Sequence, residues 1–220
     1  MAAMRKPPPS SESRAGSLPL VGGVLALDFC NTSSGRSTER HLEHLHGADD
    51  IVAWAQHTML LDEARAAKLR VRVVRESAVA QALLRRALHL RDAIYRLNAA
   101  LAQHAVPTQA DMDALAHEHA ACLAKGQLAT HDGAFGWTWD IDAAPVEAVL
   151  GPIAASAMTL LTQADHARLK QCSGHQCGWL FLDVSKSNKR RWCEMEVCGN
   201  RAKQKRLRGR AASALPKVDV

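Results

Sequence analysis

The chain has 220 residues, 47% of them hydrophobic and 23% charged, which accommodates one ordinary globular domain plus a small appendage and excludes wholesale disorder. No stretch reaches the roughly 18 uninterrupted apolar residues of a membrane helix, and the N-terminus lacks the apolar core of a signal peptide, so a cytoplasmic protein with no membrane partner is expected. The net charge of +6 is lopsided: residues 166–220 hold 13 Lys/Arg against 4 Asp/Glu, whereas residues 1–165 hold 15 against 18, the asymmetry of a nucleic-acid-binding appendage or of a merely solvated basic tail.

Residues 1–17, with Pro7-Pro8-Pro9 and almost nothing to bury, are expected to form a disordered leader. The run Val24 to Phe29 (VLALDF) reads as a strand that the polar segment CNTSSGRS ends. Asp49 or Asp50 caps a short helix carrying Ile51, Trp54 and Ala55. A longer helix follows from about Glu76 to His104, with Ala80, Leu83, Ala87, Leu90, Ile94, Leu97 and Leu101 as its buried stripe. After Pro107, Thr108 and Asp111 resemble a capping box, and the helix they open should stop at Gly126 with Met112, Leu115, His119 and Leu123 on its face. Between Gln127 and Asp142 short strands turn at Gly133, a hairpin suited to pairing with the first strand. The last body helix runs from about Pro145 to Lys170, with Val149, Ile153, Ala157, Leu160 and Ala164 buried and Gly151-Pro152 as a kink. The expected class is therefore α+β: a helix-dominated N-terminal domain with a small antiparallel sheet, followed by a small four-cysteine zinc-finger module.

The body offers one hypothetical ligand site. Asp28, Asn31 and Thr32 put three hydrogen-bonding side chains at a strand end, where ligand-orienting groups and ordinary turn chemistry both occur. Arg91 falls beside a buried stripe, where its charge needs an anionic partner such as Asp28 or a ligand carboxylate. Trp54, Trp137 and Trp139 suit a pocket wall or a core, and Cys30 and Cys122 read as small buried hydrophobes. No HExxH, GxSxG, P-loop or GxGxxG motif occurs, which makes an enzyme the weaker class.

Cys172, Cys177, Cys193 and Cys198 are spaced C-x4-C-x15-C-x4-C. In a reducing compartment, paired cysteines at such short spacing are metal ligands, and a closed shell of four soft thiolates selects zinc in a structural role, one ion per chain. Trp179-Leu180-Phe181-Leu182 supplies the apolar filling that a module of this size otherwise lacks. His175 lies inside the first loop, but four cysteines already complete the shell.

Beyond the cysteines the charge is organised. If a helix starts at Cys198 and Gly199, Arg201, Lys205 and Arg208 share a face, with Lys203 and Arg206 beside it, and Lys189, Arg190 and Arg191 form a second basic cluster. Together they make an electrostatic footprint for phosphates. Asn200 and Arg201 are the candidate base readers, since Asn can pair with adenine and Arg with guanine, although Asn200 can equally cap the helix.

The segment RLKQCSGHQCGWLFLDVSKSNKRRWCEMEVCGNRAKQKRLRGR resembles the CGNR zinc finger, with the naming tetrad at Cys198, Gly199, Asn200 and Arg201. The opening LALDFCNT and the order of elements resemble the ABATE domain that accompanies this finger. The resemblance implies a bacterial, stress-induced transcription regulator whose finger binds DNA and whose ABATE domain senses a small molecule. The expected division is a leader at 1–17, the effector domain at 18–167, the finger with its basic helix at 168–212 and a flexible tail at 213–220. A zinc-dependent RNA-binding or protein-interaction module is the alternative, and any homo-oligomer leaves no signal in the sequence.

Overall fold

A computed structural model describes residues 14–213 except Ser37 and Asp132; most of the expected leader and all but the first residue of the expected tail lie outside them. Seven helices dominate the described residues: α1 (Leu25–Cys30), α2 (Ala48–His57), α3 (Glu63–Arg75), α4 (Ser77–Ala102), α5 (Gln109–Leu123), α6 (Glu147–Gln163) and α7 (Asn200–Ser213). Three two-stranded antiparallel sheets accompany them, pairing β1 (Ser33–Ser34) with β2 (Leu42–Glu43), β3 (Gln127–His131) with β4 (Ala134–Thr138), and β5 (Leu169–Gln171) with β6 (Leu180–Leu182). No described helix is long and apolar enough to cross a membrane.

The expected first strand is a helix. In α1, Ala26, Leu27, Phe29 and Cys30 are all fully buried while Leu25 and Asp28 are half-buried, so burial follows the i, i+1, i+3, i+4 spacing of one helix face and not the alternation read from VLALDF. A helix satisfies its own backbone amides where no strand lies alongside, and the amide of Ala26 donates to Ser156 Oγ on α6 at 3.1 Å. Among the described residues the hairpin β3–β4 consequently pairs only with itself. Order also begins before residue 18, because Ala15–Ser17 form a 3-10 turn against α2 with Ala15 buried.

The helix signals elsewhere are realised with shifted ends. Asp50 Oδ2 accepts from the amides of His46 and Gly47 at 2.8 and 3.0 Å, capping α2 from inside its first turn. Thr108 Oγ1 accepts from the Asp111 amide and opens α5, whose buried residues are Asp111, Leu115 and Cys122, with Met112 40% exposed. Helix α3 was not read from the sequence, although Asp62 caps it through the Arg65 amide and Ala66, Leu69 and Val73 give it a buried stripe. Helix α6 stops at Gln163 instead of Lys170, because Asp165 turns the chain by accepting from the Ala167 amide. A Cβ at Gly151 would lie 2.5 Å from the Trp139 ring, so glycine there is what lets Trp139 lie against α6, with its indole N–H donating to the Cys122 carbonyl at 2.7 Å.

Phe29 and Trp54 meet at 5.0 Å in the core, Trp139 is buried and Trp137 is half exposed, so the three tryptophans do not wall a common pocket. Arg86 holds a second polar cluster, donating to Glu118 at 2.8 Å and to Glu147 at 2.6 Å, with Lys125 also on Glu147.

Asp28 lies under the loop that precedes α1, where its Oδ1 accepts from the Gly22 amide at 2.7 Å. Burial pushes its pKa up to about 6, against the pull of the Gly22 and Val21 amides and of His57. Below that value the folded protein holds a proton that the unfolded chain has released, so the stability this group contributes is present at low pH and is lost as pH rises through about 6. Asp28→Asn, which keeps the acceptor and removes the charge, should raise the thermal midpoint at pH 8 by roughly 3–5 °C and by much less at pH 4.5. Calorimetry at the two pH values checks this.

Candidate metal centre and basic helix

The metal centre grows from the β5–β6 ribbon. Leu169 pairs with Leu182 and Gln171 with Leu180, and the Cys172 amide extends the ladder by donating to the Trp179 carbonyl at 2.8 Å. Alternation along β6 divides its side chains: Leu180 and Leu182 pack with the body core, whereas Phe181 packs with Leu18, Cys172, Trp179, Cys193 and Cys198. The ribbon thus belongs to two cores at once.

Two knuckles bring the sulfurs together. Cys177 N donates to the Gly174 carbonyl and Cys198 N to the Glu194 carbonyl, which folds each C-x4-C segment back on itself. All four Sγ atoms lie within 4.8 Å of one another, with Cys177 to Cys193 at 3.6 Å and Cys193 to Cys198 at 3.7 Å. A tetrahedral zinc with arms of about 2.3 Å sets its sulfurs about 3.8 Å apart, so the arrangement fits that ion. The amides of Gly174 and Cys193 point at Cys172 Sγ from 3.4 and 3.3 Å, as donors that stabilise a thiolate. His175 stands outside this cluster, and the four cysteines form a zinc-binding site.

At Gly174 a Cβ would lie 3.0 Å from Cys198 Sγ and 3.3 Å from Cys172 Sγ. Gly174→Ala should therefore push two ligands apart and weaken zinc retention roughly tenfold. Competition with a chromogenic chelator measures it.

Sequence reading passed over the residues that hold this centre. Asp183 is fully buried, and its carboxylate accepts from Ser185 Oγ at 2.6 Å, the Ser185 amide at 3.0 Å and the Arg190 amide at 2.8 Å. The Ser185 hydroxyl and these amides hold its pKa below the ordinary carboxylate value. Arg190, read as a phosphate contact, is turned inward: its guanidinium stacks 4.3 Å over Phe181 and donates to the carbonyls of Trp192 and Cys193. It clamps the second knuckle.

The residues read as an effector site are spent on the body and its seam with the finger. Asn31 Nδ2 donates to the Leu180 carbonyl and its Oδ1 accepts from the Leu180 amide, both at 2.9 Å, so one side chain acts as a strand neighbour to β6. Thr32 Oγ1 donates to the Phe29 carbonyl at 2.7 Å and accepts from Arg91. Arg91 forms a two-pronged pair with Glu43 at 2.6 and 2.7 Å, and not with Asp28; against the upward push of burial, that pairing holds Glu43 below its ordinary pKa. The seam continues through Trp179 to Ser34, Gly35 to the Cys177 carbonyl, Leu182 to the Gly22 carbonyl and Tyr95 to the Gly178 carbonyl.

Helix α7 leaves the centre immediately after Cys198. Arg201, Lys203, Lys205, Arg206 and Arg208 are all exposed along it, and none of the five has an ion-pair partner among the described residues. Lys189 is exposed, and Arg191 lies exposed beside the Trp192 ring at 5.3 Å. Asn200 donates to the Glu196 carbonyl at 2.9 Å, a bond that ties its amide to the turn entering the helix.

Comparison with known families gives two matches. Residues 168–211 match the model of the CGNR zinc finger. Residues 23–164 match ABATE, described as "Putative stress-induced transcription regulator". No curated protein matches the chain.

Proposed function

Since the chain belongs to the ABATE family and carries a CGNR zinc finger behind that domain, we propose that it is a cytoplasmic, non-enzymatic transcription regulator that grips DNA with α7 and the Lys189–Arg191 loop. The observation that carries this reading is the run of five exposed cations on α7, fixed to a metal centre through Cys198. Lys189, Arg191, Arg201, Lys203, Lys205, Arg206 and Arg208 supply phosphate contacts, with Arg201 the candidate base reader. Arg190 supports them from inside the knuckle, and Asn200 orders the helix entrance.

In this reading the domains at 18–167 and 168–212 act as one piece, because Asn31, Ser34 and Tyr95 bind the finger backbone or its Trp179 directly. Asp28, Asn31, Thr32 and both terminal nitrogens of Arg91 hydrogen-bond within the protein, which favours an effector site elsewhere. A shallow, open groove beside the seam, lined by Val24, Ser156, Leu160, Gln163 and Leu182 among others, is where a small molecule would touch both parts. Fluorescence anisotropy with DNA and RNA duplexes of matched length tests the nucleic-acid reading. Preference for DNA supports it, and binding to neither promotes the protein-interaction alternative.

A further inference from the structure

Before α1 begins, the chain crosses from the body core to the metal core and back. Ala15 is buried in the body core, Leu18 is buried in the metal core, and Val24 and Leu25 pack against the body core again. Leu18 is 4% exposed, and Val21 packs against the same metal cluster. Ligands apart, Leu18, Trp179 and Phe181 are the buried side chains of that cluster among the described residues. One of the three therefore comes from the far end of the chain. Residues 18–22 lie outside both of the family matches, which cover 23–164 and 168–211.

Hydrogen bonds hold this segment from both sides. The Leu182 amide on β6 donates to the Gly22 carbonyl at 2.9 Å. The Gly22 amide donates to Asp28 Oδ1 on α1 at 2.7 Å, and His57 Nε2, at the end of α2, donates to the Leu18 carbonyl at 2.8 Å. A Cβ at Gly22 would lie 2.7 Å from the Asp28 amide nitrogen and 2.8 Å from Leu27 Cβ, so only glycine lets the segment lie this close to α1.

The geometry points to residues 18–23 as a third part of the metal centre, an N-terminal strap in which Leu18 is a positioning residue for the zinc-binding cysteines. A small metal module has few apolar side chains with which to order its ligands and keep water from them. Leu18 shares its cluster with Cys172, Cys193 and Cys198, and truncating it leaves a cavity that so small a core has little to collapse into. The strap also reaches α2, which none of the seam bonds described above touches. A displacement of α2 is thereby passed through the Leu18 carbonyl to the metal core.

The rate at which the zinc-loaded full chain gives up its metal to a chromogenic chelator tests this without nucleic acid, and so independently of the DNA reading. Leu18→Ala should speed release about tenfold. Leu18→Met, which refills the space, should bring the rate back to within about twofold of wild type. Gly22→Ala displaces the strap from the body side, leaves every side chain of the metal core in place, and should also speed release. Leu83→Ala makes a cavity of the same kind in the body core; it should lower the thermal midpoint and leave the release rate unchanged. Release at the wild-type rate from Leu18→Ala or Gly22→Ala, or equal acceleration by Leu83→Ala, overturns the proposal.

Discussion

Replacing Cys193 with serine should release the second knuckle and lower zinc affinity by at least a hundredfold, because folding of the centre and metal binding are one equilibrium, worth about 10–16 kcal/mol in small zinc modules. Cys193 Sγ sits between Cys177 and Cys198 at 3.6 and 3.7 Å, so its loss opens the shell in the middle. Amide exchange should rise across residues 172–178 and 183–200. Leu169 and Leu180 pack with the body core, which should keep the β5–β6 ribbon largely in place, and α1–α6 should stay folded. The seam nevertheless loses support at Gly35 and Tyr95, whose partners Cys177 and Gly178 lie in the first knuckle. A drop of about 2–3 kcal/mol in the body follows, or roughly 5–10 °C in its midpoint. Unchanged exchange over 172–200 in the variant would contradict this account of the centre.

The seam explains which parts of the molecule could be read in advance. Elements whose signal is local were legible: the α4 stripe, the Thr108 cap, the hairpin around Gly133 and the C-x4-C pairs each depend on neighbours within a few residues. The identity of α1 was not, because over six residues the alternation of Leu25, Leu27 and Phe29 competes with the helical spacing of Ala26, Leu27, Phe29 and Cys30, and so short an apolar run does not separate the two periods. Helix α3 was legible and overlooked, since Asp62 followed by Ala66, Leu69 and Val73 is an ordinary cap and stripe. Partners 48 to 149 residues away, such as Glu43 for Arg91 and Leu180 for Asn31, could not be read at all. Arg91 beside a buried stripe announced its need for an anion, but only the fold supplies Glu43. Asn31 looked like a ligand group for the same reason that it works as a joint, having a donor and an acceptor on one short arm. Arg190 shows the converse, since a cation in a basic run carries no sequence mark that it will turn inward onto Phe181.

The second large effect concerns the basic surface. With Arg190 withdrawn, seven cations remain outside the fold at Lys189, Arg191, Arg201, Lys203, Lys205, Arg206 and Arg208. If four or five of them reach phosphates at once, the logarithm of DNA affinity should fall against the logarithm of salt with a slope of about −4 to −5. Lys189→Ala removes one such contact and should flatten the slope by about one unit at every DNA sequence. Arg201→Ala should cost about 1–3 kcal/mol on a specific site beyond its effect on random DNA. Arg190→Ala should differ from both, loosening zinc retention before it changes the slope.

The most direct test is the salt dependence of DNA binding by the zinc-loaded full chain beside the triple variant Arg201→Ala, Lys205→Ala, Arg208→Ala, which clears one face of α7 and leaves the four cysteines untouched. The account predicts a slope of about −4 to −5 for the wild type and one shallower by two to three units for the variant, with zinc content unchanged in both. Binding that ignores salt, or that the triple variant leaves intact, would contradict it.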